Sequence, residues 1–178
     1  GTEMNASAKW ITRTAALLAI LLVVQVVTKS GGQLFTGSCV NLILTVAVLA
    51  CGRWSGIVLA VVSPFFAFLL GIGTPVFPIV PVIACGNLAF VLLLCALFQR
   101  IRIGRGIPAA AVAAAGKAFV LYLLVVRVLL PVLALPEQQT AALSASFSSV
   151  QLITALIGGI LGVLIVPIIR RALYGSKA

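Results

Sequence analysis

The fold class follows from one long apolar stretch, AAAVAAAGKAFVLYLLVVRVLLPVLAL, which covers residues 109–135. As a helix it would exceed the roughly 30 Å thickness of a bilayer's hydrocarbon core. Two basic residues, Lys117 and Arg127, interrupt the stretch, and the only carboxylates of the chain, Glu3 and Glu137, lie outside every apolar segment. Because a basic side chain at the bilayer centre costs roughly 2.5–3.5 kcal/mol, such residues usually face a cavity, a substrate path or a partner. The sequence therefore predicts an anionic or acceptor-rich ligand for them.

The composition indicates a polytopic membrane protein. The chain is 63% hydrophobic and only 8% charged, with a mean hydropathy of +1.32, whereas soluble domains are about 25% charged. Its 178 residues hold about six spans, so we expect a single integral membrane domain over residues 1–178. Residues 1–3, which precede Met4, resemble an expression scar. The net charge of +10 is attributed to membrane topology, and no nucleic-acid partner is expected.

Helix-breaking and polar residues divide the chain into six apolar segments. These segments predict an all-α bundle of six transmembrane helices. We expect the spans at about residues 10–28, 37–51, 56–72, 79–98, 109–135 and 150–169. Prolines crowd the connection between the third and fourth spans, where we expect irregular backbone. Such backbone is tolerated at membrane depth only where it is buried in protein or lines a cavity.

The basic residues sort by side of the membrane. Lys29 falls on one side, whereas nine fall on the other: Lys9, Arg13, Arg53, Arg100, Arg102, Arg105, Arg170, Arg171 and Lys177. Lysine and arginine collect in cytoplasmic loops, so we predict that both the N- and the C-terminus are cytoplasmic. The outer connections are then residues 29–36, 73–78 and 136–149.

The sequence contains few of the residue types that catalysis within a membrane requires. The chain contains no histidine and no acid within a span, which argues against intramembrane metalloproteases, serine proteases and magnesium-dependent phosphotransferases. The four cysteines are scattered singly without metal-ligand spacing, and no P-loop motif occurs. We therefore expect no enzyme activity, no metal site and no cofactor. Binding and translocation are the remaining classes of function.

Polar residues on different spans converge in the outer half of the predicted bundle. Asn41, Asn87, Arg127 and Gln151 come from four helices, and Gln33 lies in a glycine-rich first outer loop that could act as a lid. A small-molecule pocket needs this arrangement of apolar walls with a few convergent polar groups. We therefore predict these five as substrate-binding residues. Lys117 lies about 15 Å deeper than Arg127, and we assign it to the inner face or to a partner contact, with a direct contact to the ligand as the alternative.

Simpler interpretations compete with a pocket. The amides could hydrogen-bond between helices without binding a ligand, and Arg127 could extend towards the lipid surface. Gly158 and Gly162, spaced as small-xxx-small, predict close packing of helices within the chain.

The chain resembles the substrate-binding S components of energy-coupling factor transporters, the bacterial vitamin importers. The resemblance is carried by six spans in under 200 residues and the alanine pair Ala15 and Ala19 in the first span. It is also carried by the connection GIGTPVFP at residues 71–78 and the run from Pro81 to Asn87.

The resemblance implies a multi-pass protein of the bacterial cell membrane that binds a vitamin or precursor in a pocket made by helices four to six and the first outer loop. It further implies docking through Ala15 and Ala19 on a transmembrane coupling subunit, with two cytoplasmic ATPases driving release. The absence of acids favours an anionic or neutral polar substrate. Two alternatives remain open, a stand-alone channel or facilitator and a non-transporting membrane assembly protein.

Overall fold

The architecture comes from a computed structural model, which describes residues 5–100 and 106–175. This part of the chain forms six long helices and one short helix: α1 (Ala6–Thr28), α2 (Gln33–Val46), α3 (Arg53–Leu69), α4 (Ile79–Phe98), α5 (Ile107–Leu121), α6 (Glu137–Ser146) and α7 (Ser149–Tyr174). Two helices change their winding along the way. α2 continues as a π-helix over Ala47–Cys51, and α5 continues as a π-helix over Tyr122–Leu129, followed by an α-turn over Leu130–Leu133.

The chain is a multi-pass helical membrane protein by the length and composition of its helices. Five helical stretches in the described residues are long and apolar enough to cross a membrane. The third predicted span is the exception, because α3 has 17 residues and is therefore only about 25 Å long. It begins at Arg53 and ends at Leu69, three residues before the predicted boundary.

The connection predicted at residues 136–149 differs from the observed structure, because it contains α6. This helix is polar and has no buried residue, so hydrophobic periodicity gave no sign of it. Its local signals are nevertheless those of a helix start. Pro136 precedes it, Glu137 lies in the first turn where the helix dipole favours an acid, and the following Gln and Ala residues are good helix formers.

The beginning of α1 and the end of α7 lie at the same end of the bundle. The Arg13 guanidinium lies 5.0 Å from the centre of the Tyr174 ring, and the Tyr174 hydroxyl donates a hydrogen bond to the Ala50 carbonyl at 2.9 Å. We call this the termini end. The opposite, loop end carries the connections at residues 29–32, 70–78 and 134–148. That the termini end faces the cytoplasm stays a prediction, and Arg102, Arg105, Lys177 and residues 1–3 lie outside the described residues.

Helices α2 and α7 run parallel and pack very closely. A Cβ atom on Gly158 would lie 2.6 Å from Asn41 Cβ, and one on Gly162 would lie 2.6 Å from Thr45 Cβ. The prediction that these glycines permit close packing within the chain is therefore confirmed. Lipid gives no hydrophobic driving force between membrane helices, so such backbone proximity supplies the van der Waals contact instead.

A continuous apolar core fills the half of the bundle towards the termini end. Its members come from all the long helices and have almost no exposure, for example Leu44, Leu59, Phe90, Leu94 and Ala114. Most of them follow Asn41 on α2 or Asn87 on α4, or precede Lys117 on α5. The core therefore lies between Asn41, Asn87 and Lys117 on one side and the termini end on the other.

Candidate binding cavity

A cavity of about 340 Å³ opens between the helices at the loop end. Its volume lies near the lower limit of typical small-molecule sites. Apolar side chains and glycines supply much of its wall, together with amide, hydroxyl and amine side chains. The larger polar side chains that line it are Gln25, Gln33, Asn41, Asn87, Lys117 and Gln151.

The inner part of this cavity is built on a buried lysine. The Lys117 amine donates a hydrogen bond of 2.6 Å to Oδ1 of Asn41, although Lys117 is only 4% exposed. The Asn41 amide is itself held, because its Nδ2 donates to the Gly37 carbonyl at 2.9 Å. Lys117 also lies 5.7 Å from the centre of the Phe90 ring, within the range of a cation–π contact. These contacts fix the amine in place at the cavity wall.

Asn87 is oriented by a proline on the neighbouring helix. Pro64 lies inside α3 and has no backbone N–H, so the carbonyl of Ala60, four residues earlier, has no helical donor at that position. Asn87 Nδ2 donates to this carbonyl at 3.4 Å. The amide nitrogen is thereby directed at α3, and Oδ1 is left as the free acceptor.

Two amide oxygens in the cavity wall are buried and have no hydrogen-bond partner within the described residues, Asn87 Oδ1 and Gln25 Oε1. A buried acceptor without a partner costs about 1–3 kcal/mol. Native proteins usually satisfy such groups with protein, water or a ligand. These two oxygens are therefore buried acceptors without a partner on residues that line the cavity.

Gln151 lies where α7 begins, and its Nε2 donates to the Ser146 carbonyl of α6 at 2.9 Å. This bond ties the short polar helix to the cavity wall, together with Phe147, which is buried. The structure thus brings four of the five predicted site residues to one cavity. They are Gln33, Asn41, Asn87 and Gln151.

Arg127 is the fifth, and its predicted place in the pocket is corrected by the structure. Its side chain is exposed on α5's π-helical continuation and does not line the cavity. The buried stripe of this helix runs through Ala114, Lys117, Leu121 and Val125. Arg127 follows Val125 by two residues, which is close to the opposite side of the helix.

Lys117, for which the sequence favours the inner face or a partner contact, lines the cavity. Depth counted from the outer boundary was a poor guide, because the cavity extends nine residues into α2, as far as Asn41. A usable signal was present in the sequence. Small alanines at positions 110, 113 and 114 share a helix face with Lys117, and a face of small residues is one that packs inward.

The connection between α1 and α2, predicted as an outer lid, also differs from that prediction. It is a 3₁₀ turn over Lys29–Gly31 followed by Gly32, and Gln33 already belongs to the first turn of α2. Gln33, Gly37 and Val40 then line the cavity from one face of that helix. The pocket implied by the resemblance is made by the fourth, fifth and sixth spans, which are α4, α5 and α7, together with this loop. The observed wall includes residues of α1, α2 and α3 as well.

Ala15 and Ala19 lie on an exposed face of α1. Buried residues on this helix are few, namely Thr14, Leu21 and Thr28. The face is thus accessible to lipid or to another protein, and its docking role stays a prediction.

Hydrogen bonding by amides, hydroxyls and one amine defines what the cavity can recognise. Among residues 5–100 and 106–175, no three His, Cys, Asp or Glu side chains group to hold a metal ion. In comparisons with protein-family models, curated proteins and solved structures, nothing matches this chain.

Proposed function

We propose that this chain is the substrate-binding membrane subunit of an ATP-driven importer of the energy-coupling factor type, taking up a water-soluble vitamin or precursor. The observation that carries the proposal is the cavity at the loop end, where a buried amine and several oriented amides converge from different helices. Such a site suits capture of a small polar molecule better than it suits packing alone. An assembly protein would have no need of buried acceptors that lack partners in the wall of a cavity.

The apolar core below the cavity favours a binding subunit over a stand-alone channel. Leu44, Phe90, Leu94 and Ala114 are fully buried between the cavity and the termini end. A facilitator would need a polar path through this layer. A protein with one open end and one packed end must move as a whole, or be moved by a partner, to release its substrate on the other side.

The exposed small face of α1 at Ala15 and Ala19 is the proposed docking surface for a transmembrane coupling subunit, which would carry two cytoplasmic ATPases. This part of the proposal rests on the family resemblance.

Two measurements test the proposal. Mass spectrometry of the purified protein should detect a small water-soluble compound that is released on denaturation. Proteoliposomes that contain this chain alone should take up none of that compound, whereas uptake should appear when the coupling subunit, the ATPases and ATP are added. Uptake by the chain alone would favour a facilitator, and the absence of any bound compound would favour an assembly protein.

A further inference from the structure

The cavity wall contains both a hydrogen-bond donor and hydrogen-bond acceptors, and together they restrict the chemistry of the ligand. The Lys117 amine is a donor and the one basic side chain among the described residues that line the cavity. Asn87 Oδ1 and Gln25 Oε1 are acceptors. A molecule that satisfies all of them must present an acceptor to the first and N–H or O–H donors to the others.

The polarity of the acceptor side is fixed by the fold. If the Asn87 amide were turned over, Oδ1 would face the Ala60 carbonyl, and two acceptors would oppose each other. Pro64, which removes the helical donor at this point, thus determines that the oxygen is the atom of the Asn87 amide left without a partner. The site cannot exchange this acceptor for a donor without giving up the bond to α3.

The polarity of the donor side is fixed in the same way. Asn41 uses its Nδ2 on the Gly37 carbonyl, so its Oδ1 faces Lys117 and not the ligand. The remaining N–H groups of the amine are the donors available there. No carboxylate lines the cavity among the described residues. A buried charge without a counter-charge is costly, so an anionic group on the ligand complements this amine better than a neutral acceptor.

From these contacts we infer that the ligand is a small organic anion with a carboxylate or phosphate at one end and neutral hydroxyl or N–H donors at the other. The anionic end pairs with Lys117, and the donor end hydrogen-bonds to Asn87 Oδ1 and Gln25 Oε1. This inference rests on the proposed function, because it names the substrate class of the same site. It excludes cationic ligands, and it places neutral analogues well below their acids in affinity.

The test compares acids with neutral analogues that share the same skeleton. Purified protein is titrated with pantothenate and panthenol, with nicotinate and nicotinamide, and with 4-aminobenzoate and 4-aminobenzamide, and binding is followed by thermal stability. We expect the acid of at least one pair to bind roughly 10- to 100-fold more tightly than its neutral partner, the range expected for one charge-assisted hydrogen bond. This ratio is measured on the unaltered chain and needs no variant to fold.

Variants then assign the ratio to a side chain. Lys117→Gln keeps a donor for Asn41 but removes the charge, and it should bring the affinities of acid and neutral analogue to within about threefold. Arg127→Gln is the matched control, because it removes a charge from the same helix outside the cavity, and it should leave the ratio unchanged. Asn87→Leu should weaken both members of a pair equally.

The outcomes separate this inference from the proposed function. Binding of a neutral analogue as tightly as its acid, or a ratio that survives Lys117→Gln, overturns the inference and leaves a substrate-binding subunit in place. If no member of the panel binds, the compound that co-purifies decides: an acid or phosphate supports the inference, and a cationic or neutral compound overturns it. If nothing binds and nothing co-purifies, the proposed function fails, and the inference fails with it.

Discussion

The close contact between α2 and α7 gives the sharpest prediction of stability, because at Gly158 it leaves room for a hydrogen atom and not for a methyl group. An alanine Cβ at this position would collide with the Ser38 carbonyl oxygen and would lie 2.6 Å from Asn41 Cβ and 2.7 Å from the Leu42 backbone nitrogen. Two of these three atoms belong to the backbone of α2. No side chain can therefore rotate away, and the two helices must separate.

The next residue along α7 offers a matched control. A Cβ on Gly159 would lie 3.3 Å from Ala110 Cβ and 3.4 Å from Phe90 Cζ, which a small shift can relieve. Both substitutions gain about 1 kcal/mol in helix propensity, so this term cancels in the comparison. Overpacking against backbone should cost Gly158→Ala about 3 kcal/mol, the upper end of the usual range. The net loss is then about 2 kcal/mol, whereas Gly159→Ala should be neutral or slightly stabilising.

A thiol-reactive fluorogenic dye can follow unfolding of the detergent-solubilised protein, since the four cysteines, Cys39, Cys51, Cys85 and Cys95, are all free. At about 2–4 °C per kcal/mol, the value for soluble domains of this size, the midpoints of the two alanine variants should differ by roughly 4–12 °C. Equal midpoints for the two variants, or a Gly158→Ala variant as stable as the unaltered chain, would refute the packing argument.

Two further predictions concern hydrogen bonds between helices. The Thr14 and Ser55 hydroxyls lie 2.7 Å apart in a buried contact between α1 and α3. Thr14→Val and Ser55→Ala should each cost about 1–2 kcal/mol, and the double variant should cost less than their sum because one bond is lost in all three; additive losses would contradict this. Asn87→Ala should destabilise the chain by about 1 kcal/mol through the Ala60 carbonyl, and by less when Pro64→Ala restores a helical N–H at that carbonyl. Chemical denaturation of the unaltered protein, the two single variants and the double variant would show this coupling. An equal effect of Asn87→Ala with Pro64 and with Pro64→Ala would exclude it.

The general architecture could be predicted from local properties of the chain. Helical spans follow from apolar length, since backbone polar groups in lipid must be satisfied within the segment itself. The convergence of Asn41, Asn87 and Gln151 could also be predicted, because each lies at a definite depth on a helix whose direction is set by counting spans. Depth is a one-dimensional property, and the sequence supplies it directly.

Which face of a helix turns inward is a different matter, and Lys117 and Arg127 illustrate it. Both lie in the same apolar stretch, and α5 is apolar on every side, so hydropathy cannot distinguish the face towards lipid from the face towards protein. Small residues at positions 110, 113 and 114 mark the packed side, and the change to π-helical winding at Tyr122 alters the angle of everything that follows. A depth argument ignores both effects and selects Arg127, which does not line the cavity.

The sequence by itself determined that this chain is a bundle of apolar helices with two cations that have no acid near them in the membrane. Hydrophobic length and charge are properties of single segments, and each could be evaluated without its neighbours. Only the tertiary structure decided that Lys117 lines a cavity beside Asn41 and that Arg127 does not. It also decided that Pro64 on one helix orients Asn87 on another. These facts depend on how helices rotate and approach one another, which is governed by packing between segments distant in the chain.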